Sequence, residues 1–386
     1  MDSENNRAKK VFLHIGTEKT GSTALQKFLA LNSELISTAG FKVSSTPSDG
    51  MHLGLGVAIA DPESTLHSLH TFFTPGTIEQ SSFRSKISTT LRDEIANNDN
   101  LVISFEGFSS RINSPEEFEL LGEILNSKNV ELSVVVFLRK VVPMVESSLS
   151  ELAKSEHYGS LKDLTLSLAC DERVDYSELI QKWRQNLNCK IIARAYREEW
   201  RDTPKSLYQE FCSIIGLKWQ ENFELPQKVL NRSLDSAQLN LLFQLNGLFP
   251  GKKSTVFEDV RNHYIRKCLE HNNPSPHQIS QAEAQYIESK YNIRNQHTAE
   301  VLSKEDYAYL QSGTLRQPDS KSYSRHSKIV AGLILLTAIR TTLRNIGVLE
   351  KVVKDEIRST LNLIEGLNSL RLLFWTYKIK SQMERN

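Results

Sequence analysis

The chain has 386 residues, of which 39% are hydrophobic and 24% are charged, and its formal net charge is +1. This length suits one large domain with additions or two domains, and the apolar content allows a sizeable core, which excludes a wholly disordered chain. A net charge so close to zero gives no reason to expect nucleic acid as a partner.

Short apolar runs alternate with helical patterns over residues 10–230. Strands are predicted at 11–15, 101–105, 131–138 and 190–195. Helices are predicted at 23–36, 83–97, 115–127, 142–154, 176–186 and 206–215, and residues 40–66 are loop-rich. The run 131–138 is nearly continuously apolar, as expected of a central parallel strand. The alternation predicts an α/β fold of three layers, in which helices cover both faces of a central parallel sheet.

A glycine-containing turn, Gly16 to Thr23 (GTEKTGST), joins the first strand to the first helix. Glycines let backbone N–H groups turn towards an anion, and the N-terminus of the following helix adds a favourable dipole. The GxxxxG spacing fits a phosphate-binding loop. The usual Gly-Lys-Ser/Thr ending is missing, however, and the lysine, Lys19, lies inside the loop. An ordinary turn between a strand and a helix is the alternative.

A second candidate for anion binding follows the strand 131–138. Arg139 is predicted at the carboxyl end of this strand, which is the edge of an open α/β sheet where ligands gather. Ser147 lies eight residues later, in the next predicted helix. Because a guanidinium fork fits a phosphate group, Arg139 and Ser147 are predicted to meet on one anion. The alternative is a surface arginine paired with an acidic neighbour, beside a solvent-facing serine.

The segments HIGTEKTGSTALQKFL and FLRKVVPMVESSLSEL, in this order, resemble the PAPS-dependent sulfotransferase family, especially its bacterial and glycan-modifying members. The resemblance covers about residues 10–230. It implies a P-loop-containing fold with PAPS (3′-phosphoadenosine 5′-phosphosulfate) as co-substrate, and it assigns Arg139 and Ser147 to the 3′-phosphate. The residues that it assigns to the 5′-phosphosulfate end are Lys19, Thr20, Gly21, Ser22 and Thr23.

The resemblance also implies the reaction, in which a sulfuryl group passes in line from PAPS to a hydroxyl of a carbohydrate or glycolipid acceptor. Lys19 would contact the bridging oxygen, on which negative charge develops. A sulfuryl group carries less charge than a γ-phosphoryl group, so no metal ion is expected to be required. No motif identifies the acceptor.

Glu106 is the first candidate for the general base that takes the acceptor proton. It ends the strand 101–105, at the sheet edge predicted for Lys19 and Arg139, and the family often has a glutamate after such a strand. His52 is the second candidate, because related bacterial sequences carry a histidine in a comparable loop, and it could serve as the base or bind the substrate. The alternatives are an ion-paired or helix-capping glutamate and a structural histidine. His14, in the first strand, is expected to be packed in the core.

Tyr196 is a candidate contact to the adenine, because the family has an aromatic residue after the corresponding strand. This chain has Tyr196 followed by Arg197, where the family tends to have a Tyr-Glu pair. The second motif also departs mildly from the family pattern, because Lys140 follows Arg139. The Arg-Lys-Gly loop that cytosolic sulfotransferases use for the 3′-phosphate has no clear counterpart.

From residue 231 onwards the chain shows only helical patterns. We predict a catalytic domain at 1–320, with a nucleotide core at about 10–230 and a helical part at 231–320, followed by a basic amphipathic helical extension at 321–386. The extension holds 12 Lys and Arg against 5 Asp and Glu, whereas the first 320 residues hold 35 against 41. Two interpretations stay open. One is packing on the catalytic body or on a second copy in a homodimer, and the other is attachment to an anionic membrane surface or an acidic glycan carrier.

The sequence also favours a cytoplasmic location. The cysteines Cys170, Cys189, Cys212 and Cys268 form no CxxC pair and match no zinc module, so free thiols in a reducing compartment are expected. The segment 1–10 is polar, and no secretory signal is expected. The longest apolar run, 329–339, has 11 residues, short of the roughly 20 of a spanning helix. We therefore expect a soluble protein, or one peripheral on the inner face of a membrane.

Two other functions stay open at this point. In a P-loop kinase or NTPase, Glu106 would act as the acid that follows the second strand, but such an enzyme needs lysine where this chain has Ser22. A degenerate nucleotide-binding module acting as a scaffold is the other alternative. Loss of Lys19 or Arg139 would indicate it, and both residues are present.

Overall fold

The computed structural model describes residues 8–313, except 47–51, 62–79, 126–128, 156, 228–233, 235, 249–254 and 271–278. The predicted extension at 321–386 therefore lies outside the described residues. The chain divides into two compact units. The first comprises Met1–Met144, Asp171–Leu230 and Glu288–Gly313, and the second comprises Val145–Cys170, Asn231–Ile287 and Thr314–Asn386.

A parallel sheet forms the centre of the first unit. Its five described strands are β1 (Lys9–His14), β2 (Lys42–Val43), β3 (Asn100–Ser104), β4 (Val130–Leu138) and β5 (Lys190–Ala195). Their order in the sheet is β2-β3-β1-β4-β5, and every pairing is parallel. The predicted α/β class and central parallel sheet are thus confirmed. Because the strands are parallel, the residues that follow β1, β3, β4 and β5 all emerge at one edge.

Apolar side chains on both faces of the sheet are buried. Val11 and Phe12 are neighbours on β1 and therefore point to opposite faces, yet neither is more than 6% exposed. On one face, Phe28 stacks on Tyr208 with ring centroids 4.6 Å apart. The burial of such apolar and aromatic side chains stabilises the packing of the helices on the sheet.

The helices of the first unit come mostly from the segments between the strands. They are α1 (Ser22–Leu31), α2 (Ser33–Thr38), α3 (Leu53–Ile59), α4 (Gln80–Asn97), α5 (Gly107–Arg111), α6 (Pro115–Leu125), α9 (Tyr176–Asn186), α10 (Pro204–Ile215) and α14 (Lys304–Gln311). Short 3-10 helices lie at Glu172–Val174, Glu198–Arg201 and Gln296–Glu300.

One predicted helix, 23–36, is in fact two, α1 and α2, which meet at Asn32. The Asn32 amide donates to the carbonyl of Phe28 at 2.8 Å and to that of Glu224 at 2.9 Å. An asparagine side chain that bonds to the backbone in this way competes with the helical ladder. The prediction of one continuous helix was therefore wrong.

The described part of the second unit is helical. It holds α8 (Leu161–Ala169), α11 (Ser236–Leu248), α12 (Thr255–Glu270) and parts of α7 (Val141–Lys154) and α13 (Gln281–Arg294). The buried Asn246 amide donates to the carbonyl of Ala153 at 2.8 Å, and Arg261 Nε donates to Asn246 Oδ1 at 3.1 Å. In the part of the chain that the structure describes, we find no helix with the length and apolar character needed to cross a bilayer.

Candidate functional site

The loop between β1 and α1 has an unusual backbone. Gly16, Lys19 and Gly21 all have positive φ, at 51°, 67° and 78°. At Gly16 a Cβ atom would lie 2.6 Å from Ser22 Oγ, so this position requires glycine. Lys19 has a side chain and still adopts the left-handed conformation, which costs on the order of 1–3 kcal/mol unless neighbouring contacts hold it. The loop is thus fixed in a shape that the chain alone would not favour.

Two threonine hydroxyls hold this loop from inside. Thr17 Oγ1 donates to the carbonyl of Phe137 on β4 at 2.8 Å, and Thr20 Oγ1 donates to the carbonyl of Thr17 at 2.6 Å. Both side chains are buried. The hydroxyl of Thr20, predicted to contact a phosphate, donates inwards here, whereas Thr23 in the first turn of α1 is exposed.

Ser22, the first residue of α1, has a buried hydroxyl. The residue is 6% exposed, and its Oγ has no hydrogen-bond partner among the described residues. Leaving a buried hydroxyl unbonded costs about 1–3 kcal/mol. Because this hydroxyl lies at a helix N-terminus and against Gly16, an oxygen of an anionic ligand in the loop is the kind of partner that it lacks.

Glu106 lies beside the same loop. It lies two residues after the end of β3, and its Cβ lies 3.3 Å from where a Cβ on Gly16 would be. The carboxylate accepts a hydrogen bond from Gln26 Nε2, on α1, at 2.6 Å. The structure therefore brings Glu106 to the loop that carries Lys19 and Ser22, as the shared sheet edge predicts.

Arg139 follows β4 and connects the two motifs. Its Nη1 donates to the carbonyl of Lys19 at 3.0 Å. Its Nε and Nη2 donate to the two carboxylate oxygens of Glu198 at 2.7 and 2.6 Å. The residue is 6% exposed. Burial alone would lower the pKa of Arg139, but the Glu198 carboxylate raises it above its ordinary value. All three guanidinium nitrogens are thus engaged within the protein.

Glu198 is a site residue that the sequence analysis missed. It begins the 3-10 helix Glu198–Arg201, and its backbone amide donates to the hydroxyl of Tyr309 on α14 at 3.0 Å. The Tyr309 ring contacts Lys140 Nζ and Arg197 Cζ, at 4.4 and 4.2 Å from its centroid. Glu198 is therefore positioned in part by α14, through a residue 111 positions further along the chain.

Tyr196 packs beneath the loop. The residue is 5% exposed, the Arg139 guanidinium lies 5.5 Å from its ring centroid, and a Cβ on Gly21 would lie 3.5 Å from its ring. Burial raises the pKa of its hydroxyl to about 12. Its faces are already covered by protein, so in this conformation the ring supports the loop and Arg139, and a contact to adenine stays a prediction.

The two histidines named in the sequence analysis, His52 and His14, lie in the core. His52 is 4% exposed, and its Nδ1 accepts a hydrogen bond from the amide of Ser104 at 2.7 Å. Burial lowers the pKa of His52 to about 4. His14 Nδ1 lies 2.7 Å from Ser104 Oγ, and burial lowers its pKa to about 3. His52 thus has a structural hydrogen bond on the nitrogen that a neutral base would use, and its role as the base stays a prediction.

Ser147 lies in α7, in the second unit, and is half-buried. Its predicted meeting with Arg139 stays a prediction. Over the described ranges, His, Cys, Asp and Glu side chains form no group of three or more that could hold a metal ion. All four cysteines are free thiols, as expected, although Cys170 is exposed.

Comparison with protein-family models, with curated proteins and with solved structures finds no match to this chain. The class that the geometry defines is therefore an α/β protein with a parallel sheet and a candidate anion site at the carboxyl edge of its strands.

Proposed function

We propose that this protein is a PAPS-dependent sulfotransferase that acts on a hydroxyl of a carbohydrate or glycolipid. The observation that carries the proposal is the hydrogen bond from Arg139 Nη1 to the carbonyl of Lys19 at 3.0 Å. It joins the two segments that resemble the nucleotide motifs, although 120 positions of sequence separate them. An ordinary turn does not require a bond from a buried arginine that follows another strand, so this bond supports a binding role for the loop.

The residues of the loop fit the 5′ end of such a nucleotide. The buried Ser22 hydroxyl lacks a partner among the described residues, and the helix N-terminus that follows Gly21 favours an anion. In the proposed complex, Lys19 lies at the bridging oxygen and neutralises the charge that develops there. Glu106, whose Cβ lies close to Gly16 in the same loop, is the proposed base.

The proposed reaction is a single displacement at sulfur. The acceptor O–H proton passes to the Glu106 carboxylate, and the acceptor oxygen forms a bond to sulfur. The bond between sulfur and the bridging oxygen breaks, and its electron pair remains on adenosine 3′,5′-bisphosphate. Positioning and charge neutralisation supply most of the rate enhancement in such transfers.

Binding of the 3′-phosphate requires one rearrangement. Glu198 occupies the two guanidinium nitrogens of Arg139 that face outwards from Lys19. A phosphate offers the same bidentate geometry as a carboxylate, so it can replace Glu198 on the fork. We therefore assign Arg139 to the nucleotide in exchange for Glu198, with its bond to the Lys19 carbonyl retained.

Calorimetry on the full chain tests the proposal. Binding of adenosine 3′,5′-bisphosphate without binding of ATP and Mg²⁺ supports sulfuryl transfer, and the reverse supports a kinase or NTPase. Binding of neither supports a scaffold. A screen for sulfate transfer from PAPS to glycans and glycolipids follows, and loss of the product with Lys19→Ala assigns that product to this site.

A further inference from the structure

A cleft of about 200 Å³ adjoins the N-terminal part of the loop that joins β1 to α1. Its walls come from three places in the chain: Thr17 and Glu18 of the loop, the region of α5, and the segment from the 3-10 helix Glu172–Val174 into α9. All of these belong to the first unit. The charged side chains of its lining are Glu18, Asp171, Glu172, Arg173, Glu178 and Lys182, and Ser110 adds a hydroxyl.

The inner end of the cleft is an ordered polar network. Arg173 Nη1 donates to Glu18 at 2.8 Å, and its Nε donates to Asp171 at 2.9 Å. Ser110 Oγ donates to the other oxygen of Glu18 at 3.2 Å. The Asp171 and Glu18 contacts raise the pKa of Arg173 above its ordinary value, so this guanidinium stays charged. Fixed donors and acceptors of this kind suit a ligand that offers hydroxyl groups.

The outer end of the cleft is acidic. Glu172 and Glu178 line it and are exposed. With Glu18 and Asp171 they make four carboxylates, against two cations, Arg173 and Lys182. The surplus of negative charge opposes an anionic ligand and favours a neutral or cationic one.

The position of the cleft relates it to the chemistry proposed above. Lys19 follows Glu18 in the loop, and Glu106 precedes the helix α5 that supplies Ser110. Lys19 and Glu106 are thus sequence neighbours of the lining without being part of it, and the Arg139 fork is not part of it either. The cleft takes one wall from the segment after β3 and another from the segment between β4 and β5, so it adjoins the loop without including the Arg139 fork.

We propose that this cleft binds the acceptor, and that the group it accepts is a single neutral or amine-bearing sugar ring. The inference rests on the proposed function. The volume is below the roughly 300–1,000 Å³ of sites for drug-sized ligands, so it fits one ring and leaves the rest of a glycan outside. The charge balance excludes uronic acids and sulfated sugars from this position. In the proposed complex the acceptor hydroxyl points out of the cleft towards Glu106 and Lys19, which adjoin the lining residues in sequence.

The test measures sugar binding without relying on turnover. Saturation-transfer NMR on the full chain compares methyl α-glucoside, glucosamine and glucuronic acid as probes, with and without adenosine 3′,5′-bisphosphate. We expect signals from the first two, and binding of glucuronic acid at least tenfold weaker. Glucuronic acid binding as well as glucosamine would overturn the inference.

Two variants locate the binding. Ser110→Phe fills the cleft and should remove the sugar signals, while the double change Glu172→Gln and Glu178→Gln should reduce the preference for glucosamine over glucuronic acid by up to about fivefold. The matched control is Glu116→Gln with Glu119→Gln on α6, where both carboxylates are exposed and outside the cleft. If the double change in the cleft has no more effect than the control, sugars bind elsewhere and the inference is wrong, whether or not Ser110→Phe folds.

Calorimetry on the same samples separates the two proposals. Binding of adenosine 3′,5′-bisphosphate without any sugar signal overturns the acceptor cleft and leaves the proposed function standing. Sugar binding in the cleft without bisphosphate binding overturns the proposed function, and with it the role of the bound sugar as acceptor.

Discussion

The loop after β1 and the segment after β4 reach the same sheet edge but differ in how fully their polar groups are satisfied. In the loop, the buried hydroxyl of Ser22 has no partner among the described residues, and Lys19 holds a left-handed backbone. After β4, the guanidinium of Arg139 donates from all three nitrogens. A ligand at the loop recovers free energy by bonding an unsatisfied group, whereas a ligand at Arg139 must first displace a carboxylate. Nucleotide binding should therefore start at the loop.

The strongest test of the loop side is Glu106→Gln. Glutamine can still accept the hydrogen bond from Gln26, so the fold should be retained while the general base is lost. We expect sulfate transfer to fall by about 10²–10⁴-fold with little change in bisphosphate affinity. Steady-state kinetics and calorimetry measure the two effects, and near-normal turnover would remove Glu106 from the mechanism.

Lys19→Ala tests the same side through charge. We expect turnover to fall by about 10²–10³-fold, because a donor aimed at the developing charge is lost, and bisphosphate binding to weaken far less. Lys27→Ala, at an exposed position on α1, is the matched control. A change in binding as large as that in turnover would show that Lys19 serves the ground state.

On the other side, Arg139→Ala should act mainly on binding. It removes a charged hydrogen-bond donor worth about 1.5–3 kcal/mol, which corresponds to roughly 10–150-fold in bisphosphate affinity. It also leaves the Lys19 carbonyl and Glu198 without their partner, so the melting temperature should fall. Calorimetry and thermal unfolding measure both, and unchanged affinity would exclude Arg139 from the nucleotide site.

Glu198→Gln sharpens the comparison, because it weakens the internal competitor for Arg139 while preserving side-chain size. If a phosphate replaces this carboxylate, bisphosphate should bind the variant several-fold more tightly than it binds the native protein. Glu210→Gln is the control, since Glu210 pairs with a different arginine, Arg194, at 3.1 Å. Weaker binding to Glu198→Gln would mean that Glu198 holds Arg139 in place for the ligand.

The smallest expected effect is on folding stability and comes from the histidines buried in the core. Burial lowers the pKa of His52 from 6.5 to about 4, so between these values the unfolded chain binds a proton that the folded chain does not. The contribution of His52 to the free energy of unfolding is therefore fully present above about pH 6.5 and is lost as the pH falls towards 4. His14 contributes in the same direction, because its pKa is lowered to about 3. His52→Gln should lower the slope of unfolding free energy by up to about 1.4 kcal/mol per pH unit.

Denaturant unfolding at pH 7, 6 and 5 measures this slope. Glutamine can accept the bond from the Ser104 amide, so the comparison isolates the titration. Equal slopes in the two proteins would mean that His52 is protonated in the folded state.

The sequence predicted those site residues that lie just after a strand. Glu106, Arg139 and Tyr196 each follow an apolar run, and parallel strands bring such positions to one edge. Glu198 gave no signal, because a glutamate in the run YREEW looks like any exposed acid until Arg139 lies opposite. The cleft was equally invisible, since its walls come from segments around 17, 110 and 175 that carry no common pattern. β2 was missed because two residues show no periodicity.

The bond between Arg139 and the Lys19 carbonyl has a further consequence. Because the guanidinium that would bind an anion also bonds the loop backbone, a shift of Arg139 towards an incoming anion is transmitted to Lys19, the residue proposed to act at the reacting centre. Occupancy of one end of the nucleotide then alters affinity at the other, and linkage requires the effect to be mutual. The binding free energy that adenosine 3′,5′-bisphosphate gains from its two phosphates should therefore exceed the sum of the gains measured with adenosine nucleotides that bear one phosphate each.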